Sequence, residues 1–316
     1  MPTNRRDFLK IAASAALTGV VGPGTAESSV ARQPAENAMG VLVDMPKCIG
    51  CRRCEFACQD AQGLNPPPID TFGDRSIMAT TRRPGPGSYT VVNQYPNPGD
   101  AERPLYAKVN CLHCVDPACV SACLVGAMKK SAEGPVLYDA GRCMGCRYCM
   151  VACRYEVPAY AYENALTPQV SKCNLCAHLI PGQQEAPSCV KMCPEEALTY
   201  GNRAELLELA HEKIRRYPDQ YVDHVYGEHE AGGTSWLFLS SIPFEDVGMW
   251  EVDHKAPPRL TESIQHGVFK HFGPPLMLYG ILGAIMHVTK PKKNQSEFSP
   301  EVAESGAMTS AGEEER

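Results

Sequence analysis

Apolar residues occur in short runs along this chain, and long stretches rich in glycine and proline separate the runs. Three of these runs have the β-branched and aromatic content of strands: Val41-Leu-Val43, Tyr89-Thr-Val-Val-Asn93 and Ser235-Trp-Leu-Phe-Leu-Ser240. From Ala204 to Tyr217, leucine, alanine and isoleucine return at the spacing of an amphipathic helix. Short strands, one clear helix and many turn residues predict an α+β fold with long loops.

The apolar pattern contains an internal repeat. The first pair of matching segments is Val41-Leu-Val-Asp-Met-Pro-Lys-Cys-Ile-Gly-Cys51 and Val136-Leu-Tyr-Asp-Ala-Gly-Arg-Cys-Met-Gly-Cys146. A second pair is Cys123-Leu-Val-Gly-Ala127-Met128 and Cys193-Pro-Glu-Glu-Ala197-Leu198. Each copy is a strand, a cysteine loop, a short helix and a strand, which indicates a duplicated unit. The repeat assigns residues 41–200 to one domain, in which an inner unit at about 106–160 is nested in an outer unit. An ordered surface insert, Gly63 to Pro104, separates the first two cysteine motifs, and residues 201–261 form a C-terminal extension.

Both ends of the chain carry targeting or membrane signals. A twin-arginine signal peptide is predicted over 1–26 from Asn4-Arg-Arg-Asp-Phe-Leu-Lys10, which is followed by an apolar run and small residues. The alternative is an ordinary basic N-terminus before a helix. Residues 272–288 contain no Asp, Glu, Lys or Arg and predict one transmembrane helix. Gly273-Pro-Pro275 weakens its first turn, so a buried or interfacial helix stays open. The lysines that follow predict a cytoplasmic tail, 290–316, with the cysteine domain on the periplasmic side.

Cysteine is the unusual feature of the composition, with 16 in 316 residues. Charged residues make up 21% of the chain and the formal net charge is −6, an ordinary balance that argues against nucleic acid as a partner. Aromatic residues are only 7%, so the hydrophobic core is expected to be thin. Metal–thiolate bonds are therefore expected to help hold the fold.

All sixteen cysteines fall into four motifs. They are Cys48-x2-Cys51-x2-Cys54-x3-Cys58, Cys111-x2-Cys114-x4-Cys119-x3-Cys123, Cys143-x2-Cys146-x2-Cys149-x3-Cys153 and Cys173-x2-Cys176-x12-Cys189-x3-Cys193. Three thiolates on one loop can bind three irons of a cubane, while the fourth, on the following helix, ligates a neighbouring cluster. The spacing therefore predicts four [4Fe–4S] clusters.

Other uses of the cysteines are less compatible with this spacing. Zinc sites usually pair two Cys-x2-Cys knuckles rather than three ligands and a remote fourth. A disulfide framework would suit an exported chain, but cysteines two residues apart rarely suit mutual bridges, and twin-arginine export carries proteins that are already folded. Covalent haem c is excluded because no Cys-x-x-Cys-His occurs.

Cross-ligation requires the motifs to work in pairs. Equal spacings leave the third motif free to pair with either neighbour, but residues 124–142 have the strand–turn–strand pattern of a ferredoxin connection. That pattern favours pairing the second motif with the third and the first with the fourth. The predicted ligand sets are Cys48, Cys51, Cys54 and Cys193; Cys111, Cys114, Cys119 and Cys153; Cys143, Cys146, Cys149 and Cys123; and Cys173, Cys176, Cys189 and Cys58.

The four motifs in this order resemble the four-cluster ferredoxin subunits of the dimethyl sulfoxide reductase and formate dehydrogenase type. Within that family the chain is most similar to the hydrogenase-2 iron–sulfur subunits. The likeness rests on the leader, the C-terminal apolar segment, Asn110-Cys-Leu-His-Cys-Val-Asp-Pro-Ala-Cys119, Gly145-Cys-Arg-Tyr-Cys-Met-Val-Ala-Cys153, Tyr226-Gly-Glu-His-Glu-Ala-Gly-Gly-Thr234 and Ile242-Pro-Phe-Glu245. Leu124 and Arg154 depart from it, since a proline commonly follows the fourth cysteine, as Pro194 does.

The resemblance implies duplicated bacterial-ferredoxin-like (βαβ) units, each holding two [4Fe–4S] clusters, with the same pairing of motifs. It also implies a respiratory role: an electron carrier, not an enzyme by itself, between a periplasmic nickel–iron hydrogenase and a polytopic quinone-reactive membrane subunit. A molybdenum oxidoreductase or a multihaem cytochrome as partner is the alternative. A self-sufficient reductase and a zinc-stabilised scaffold are other classes, but neither a dinucleotide loop nor a substrate site is visible.

A few charged residues outside the motifs are also candidates for function. Lys47, Arg142 and Lys172 each precede a first cysteine and either raise a cluster potential or are simply solvated at the loop entrance. His266, His271 and His287 border the apolar segment, where interfacial positions are favoured over haem b ligation because a single helix rarely encloses a haem.

Overall fold

The computed structural model describes residues 34–100, 102–164, 169–258 and 273–289. Contacts divide the chain into two units, one ending at Gln265 and the other beginning at His266. The predicted signal peptide, His266, His271 and the predicted cytoplasmic tail lie outside the described residues.

Short strands and helices alternate in the first unit, as the sequence pattern predicts. In chain order they are β1 Met39–Asp44, α1 Arg53–Ala61, β2 Thr90–Tyr95, β3 Leu105–Asn110, α2 Ala118–Ser121, β4 Met128–Lys130, β5 Val136–Tyr138, α3 Tyr148–Ala152, β6 Ala159–Tyr160, β7 Val170–Ser171, α4 Ser188–Lys191, β8 Leu198–Asn202, α5 Arg203–Arg216 and β9 Trp236–Leu239. The helix predicted from Ala204 to Tyr217 is therefore confirmed as α5, one residue earlier at each end.

A three-stranded sheet forms the centre of this unit, with β1 between β8 and β9. β1 is antiparallel to β8, with Val43 opposite Leu198, and parallel to β9, with Val41 opposite Trp236. Because side chains alternate along a strand, β1 contributes to two cores. Val41 and Val43 pack with Trp236 toward the cysteine loops, whereas Leu42 packs against the apolar face of α5. The C-terminal extension thus completes the sheet on which the cysteine loops rest.

Three two-stranded antiparallel pairs complete the first unit: β2 with β3, β4 with β5, and β6 with β7. The β4–β5 hairpin is the predicted connection between the second and third motifs. The insert contributes β2, and Phe72 and Met78 from the insert are buried. The insert is therefore an ordered part of the fold, as predicted.

The two copies of the sequence repeat adopt the same backbone. In one copy the Asp44 N–H donates to Ala197 O at 2.8 Å, and in the other the Asp139 N–H donates to Ala127 O at 2.8 Å. Helix α1 packs on α4, and α2 packs on α3. The first motif thus lies beside the fourth and the second beside the third, as the hairpin pattern predicts.

The described part of the second unit is a single helix, α6, over Gly273–Thr289. The predicted apolar segment, 272–288, covers the same region: Phe272 lies outside the described residues, and the helix continues one residue further, to Thr289. Within the described ranges, no helix combines the length and the apolar character needed to cross a membrane. The side chain of His287 is exposed.

Candidate metal centres

All four cysteine loops share one backbone feature. The residue before the second cysteine has a positive φ in every motif: 67° at Gly50, 50° at His113, 74° at Gly145 and 54° at Leu175. Left-handed residues in tight turns direct successive N–H groups to one side, which creates a concave site for anions, including iron–sulfur clusters. Two of the four positions are not glycine, so the loops hold His113 and Leu175 in a conformation that L-residues rarely adopt.

Backbone amides also donate directly to cysteine sulfurs. Four such bonds are Gly145 N–H to Cys143 Sγ at 3.4 Å, Leu175 N–H to Cys173 Sγ at 3.4 Å, and Ala127 N–H and Met128 N–H to Cys123 Sγ at 3.1 and 3.4 Å. Hydrogen bonds of this kind favour the thiolate over the thiol, and at a cluster they raise the reduction potential. The loops are therefore shaped for thiolate ligands.

Two cavities are walled by cysteines from the first and fourth motifs. Cys48, Cys51 and Cys54 line one cavity together with Cys193, and we name these four residues the Cys48 group. The other cavity is lined by Cys173, Cys176, Cys189 and Cys58, which we name the Cys173 group. The structure thus brings the fourth cysteine of each motif to the loop of the other motif, as cross-ligation requires.

Cysteines of the second and third motifs form two further groups. Burial raises the pKa of Cys114 well above its usual range, and the thiolates of Cys153, Cys111 and Cys119 raise it further. Burial likewise raises the pKa of Cys149 to about 11, with contributions from Cys123, Cys143 and Cys146. Each of these interactions joins the members of one predicted ligand set. We name the sets the Cys111 group (Cys111, Cys114, Cys119 and Cys153) and the Cys143 group (Cys143, Cys146, Cys149 and Cys123).

Burial alone makes the thiolate form unfavourable in these groups. It raises the pKa of Cys48 to about 11 and those of Cys119 and Cys173 to about 12, so without a cation these side chains stay protonated at neutral pH. A coordinating metal reverses this balance and deprotonates the thiol outright. All sixteen cysteines are free thiols in the structure. The donor set therefore fits metal clusters.

Packing and electrostatics connect the four groups in one order: Cys189, Cys54 and Cys111 share one hydrophobic cluster, and Cys119 and Cys149 share another. The thiolate of Cys189 acts on Cys54, which joins the Cys48 group to the Cys173 group. The thiolate of Cys111 acts on Cys173, and that of Cys149 acts on Cys119. The resulting order is the Cys48, Cys173, Cys111 and Cys143 groups, which differs from the order of the motifs in the sequence.

Buried donors without an acceptor give an independent test of the fit. Among the described residues, Trp236 Nε1 and His113 Nε2 are buried and have no hydrogen-bond partner. His113 Nδ1 accepts from the Val136 N–H at 2.8 Å, which leaves the proton on Nε2. Trp236 lines the cavity of the Cys173 group. Since buried donors are nearly always satisfied, the indole N–H of Trp236 fits a cofactor that supplies sulfur acceptors in this cavity.

The basic residues before the first cysteines differ in environment. Lys47 and Arg142 are exposed, and Arg142 pairs with Asp139 at 3.3 Å, so the solvated alternative applies to both. Lys172 is buried, and its ammonium donates to Cys173 O at 3.0 Å. Sequence reasoning missed two further lysines, Lys108 and Lys130, which lie beside cysteine groups without being next to a cysteine in the chain.

Comparisons with known proteins agree with this geometry. Residues 103–203 match the model of a 4Fe-4S dicluster domain. A protein of Nitratidesulfovibrio vulgaris is 45% identical over 262 residues, which cover 82% of this chain and 70% of the relative. The hydrogenase-2 operon protein HybA of Escherichia coli O157:H7 is 33% identical over 320 residues, which cover 91% of this chain and 96% of the relative. The chain belongs to the HybA family.

Other relatives of this HybA-family chain are electron-transfer subunits. The iron-sulfur subunit of the nitrate-inducible formate dehydrogenase of Escherichia coli K12 is 30% identical over 255 residues, which cover 78% of the chain and 83% of the relative. With the matched domain and the sixteen cysteines, these relatives confirm that the cofactors are [4Fe–4S] clusters rather than zinc or disulfides. They also confirm that the chain is an iron–sulfur electron carrier of an oxidoreductase complex and not its catalytic subunit.

Proposed function

We propose that this chain is the electron-transfer subunit of a membrane-bound respiratory complex, where it connects a periplasmic nickel–iron hydrogenase to a quinone-reactive membrane subunit. The observation that carries the proposal is that neighbouring cysteine groups are packed together, through Cys54, Cys189 and Cys111 in one cluster and through Cys119 and Cys149 in another. A [4Fe–4S] cluster supplies one-electron transfer, while the protein supplies ligands, spacing and a dry environment. The hydrogenase partner rests on the likeness to HybA, whose name places it in the hydrogenase-2 operon.

We assign one cluster to each cysteine group. The support is that both members of each motif pair contribute to the same cavity or the same set of interacting thiolates. The cysteine groups differ in exposure. Three members of the Cys173 group are buried and all four members of the Cys48 group are half-buried, whereas the Cys143 group has a solvent-exposed member, Cys146.

Exposed apolar side chains lie close in sequence to the cysteines of the Cys143 group. Met144 is 64% exposed, Val151 83% and Leu124 58%, and all three belong to the segments that carry this group. Exposed apolar side chains of this kind are typical of interaction surfaces. At the opposite end, Ile49 and Met192 are also exposed beside the Cys48 group. An electron carrier needs a partner at each end, and the exposed apolar side chains beside the Cys143 group and the Cys48 group supply the two docking surfaces.

Purification of the complex tests the partner assignment. An affinity tag on the full chain in solubilised membranes should recover nickel–iron hydrogenase subunits together with a polytopic membrane protein. Recovery of a molybdenum enzyme or a multihaem cytochrome in place of hydrogenase would refute the assignment. Iron and sulfide analysis of the same sample should give about sixteen of each per chain, since each cluster contributes four of both. Zinc in place of iron would refute the cluster assignment.

We propose further that the leader exports the folded chain and that the C-terminal apolar segment holds it at the membrane. The support is sequence: the twin-arginine pattern and the uncharged residues 272–288, followed by lysines. Arg5→Lys combined with Arg6→Lys should retain the protein in the cytoplasm. Ending the chain at Glu262 should release a four-cluster protein into the soluble periplasm. Retention of that truncated chain in carbonate-washed membranes without partner subunits would show that the segment is not the anchor.

A further inference from the structure

Lys108 occupies an unusual position for a lysine, in the middle of β3 between Ala107 and Val109, all three of which are buried. Only 4% of Lys108 is exposed. Its side chain lines the cavity of the Cys48 group and also the cavity of the Cys173 group. One ammonium therefore lies between the cysteines of two neighbouring centres.

The hydrogen bonds of Lys108 leave its charge uncompensated by the protein. The ammonium donates to Thr90 Oγ1 and lies 5.1 Å from the ring centroid of Trp236. None of the ion pairs found among the described residues includes Lys108, whereas the buried Arg52 pairs with Glu55 and Lys213 pairs with Asp44. A buried cation is stable only when anions offset its loss of hydration. The groups within reach that become anions when they ligate iron are the cysteines of the two cavities.

Cysteines of both groups line the two cavities together with Lys108. A cysteine that ligates a metal is a thiolate. Once the clusters are bound, the two centres together would therefore be the counter-ions of this lysine.

We propose that Lys108 is a shared positioning residue whose fixed positive charge raises the reduction potentials of the two clusters held by the Cys48 and Cys173 groups. Each cluster takes up one electron on reduction and gains one negative charge, with no bond formed or broken. A fixed cation beside both centres stabilises the reduced form of each relative to the oxidised form. The proposal rests on the cluster assignment made above.

Potentiometric titration of the full chain, followed by electron paramagnetic resonance, tests the proposal. Lys108→Met should lower two of the four midpoint potentials and leave the other two in place. We expect at least a tenfold change in the reduction equilibrium of each affected cluster, which is about 59 mV for a one-electron couple. Lys108→Arg keeps the charge and should keep all four potentials close to those of the unmodified chain.

Lys130→Met is the matched control because Lys130 is another lysine in the interior without a carboxylate partner. Its ammonium donates to His113 O at 2.9 Å, and the nearest thiolates are Cys114 and Cys111. This variant should move a midpoint that Lys108→Met leaves unchanged. Movement of the same two midpoints by both variants would overturn the proposal, because the effect would then not depend on which groups the lysine faces.

The remaining outcomes are also decisive. No shift in Lys108→Met, or an equal shift of all four midpoints, would overturn the proposal. If Lys108→Met fails to load clusters while Lys108→Arg loads four, the positive charge is required for assembly, which supports the proposal. If both variants fail to load clusters, the shape of the side chain is decisive, and the proposal is overturned. Iron and sulfide analysis of the unmodified chain separates these results from a failure of the cluster assignment itself.

Discussion

A buried carboxylate ties the insert to the first cysteine motif. Glu55, on α1, is 1% exposed and accepts hydrogen bonds from three residues. Arg82 Nη2 and the Val92 N–H each donate to Oε1 at 2.6 Å, and Arg52 Nη2 donates to Oε2 at 3.2 Å. Two of these donors belong to the insert, and Arg52 follows Cys51 directly. The network therefore connects the insert to the loop of the Cys48 group.

Glu55→Gln should loosen the insert strongly. The substitution leaves one buried guanidinium, Arg52, and one partly buried guanidinium, Arg82, without a counter-charge, and breaking a buried pair in this way costs about 3–5 kcal/mol. At roughly tenfold per 1.4 kcal/mol, the population of the open insert should rise about 100- to 4,000-fold. Glutamine keeps one carbonyl acceptor for the Val92 N–H, so we expect the lower part of that range.

Limited trypsin digestion of the cluster-loaded chain measures the opening. Cleavage within Gly63 to Pro104 follows the open population when opening and closing are faster than cleavage. Glu156→Gln is the control, since Glu156 pairs with the neighbouring Arg83 at 2.5 Å but both side chains are more than half exposed. Exposed pairs contribute little, so its cleavage rate should change at most a few-fold. Equal cleavage rates in the Glu55→Gln and Glu156→Gln variants would refute the argument that Glu55 holds the insert because its ion pairs are buried.

Two further substitutions test the metal centres. Cys58→Ser should perturb the cluster of the Cys173 group and spare that of the Cys48 group, and spectroscopy showing loss only at the Cys48 group would overturn the assigned cross-ligation. Gly50→Ala should reduce loading of the Cys48 group, because φ is +67° and the new Cβ would lie 2.3 Å from a tyrosine ring atom. Gly63→Ala, with φ of +65° but no atom within 4 Å, controls for backbone strain; iron content lowered equally in both glycine variants would show that the contact is irrelevant.

Local sequence signals predicted the long helix α5 and which motifs lie side by side, while the ligand sets stay predictions. Cysteine spacing predicts the kind of centre, and the strand–turn–strand pattern before the third motif predicts which loops meet. The burial and the partners of the charged side chains could not be predicted from local sequence in the same way. Arg82 and Arg83 are adjacent in the sequence, yet one is bound to a buried carboxylate and the other to an exposed one. In the sequence Lys108 stands between apolar residues, which is the pattern of a strand residue that faces solvent. Its side chain is buried only in the tertiary fold.

The order of the centres was unpredictable for a related reason. The inner unit follows the chain, from the second motif through the β4–β5 hairpin to the third. The outer unit is permuted, because the strand after the fourth motif pairs with the strand before the first, Leu198 opposite Val43. Closing that pair requires both ends of the 41–200 region, and contacts of such long sequence separation form late. The Cys48 and Cys173 groups are therefore completed only after the whole domain has been synthesised.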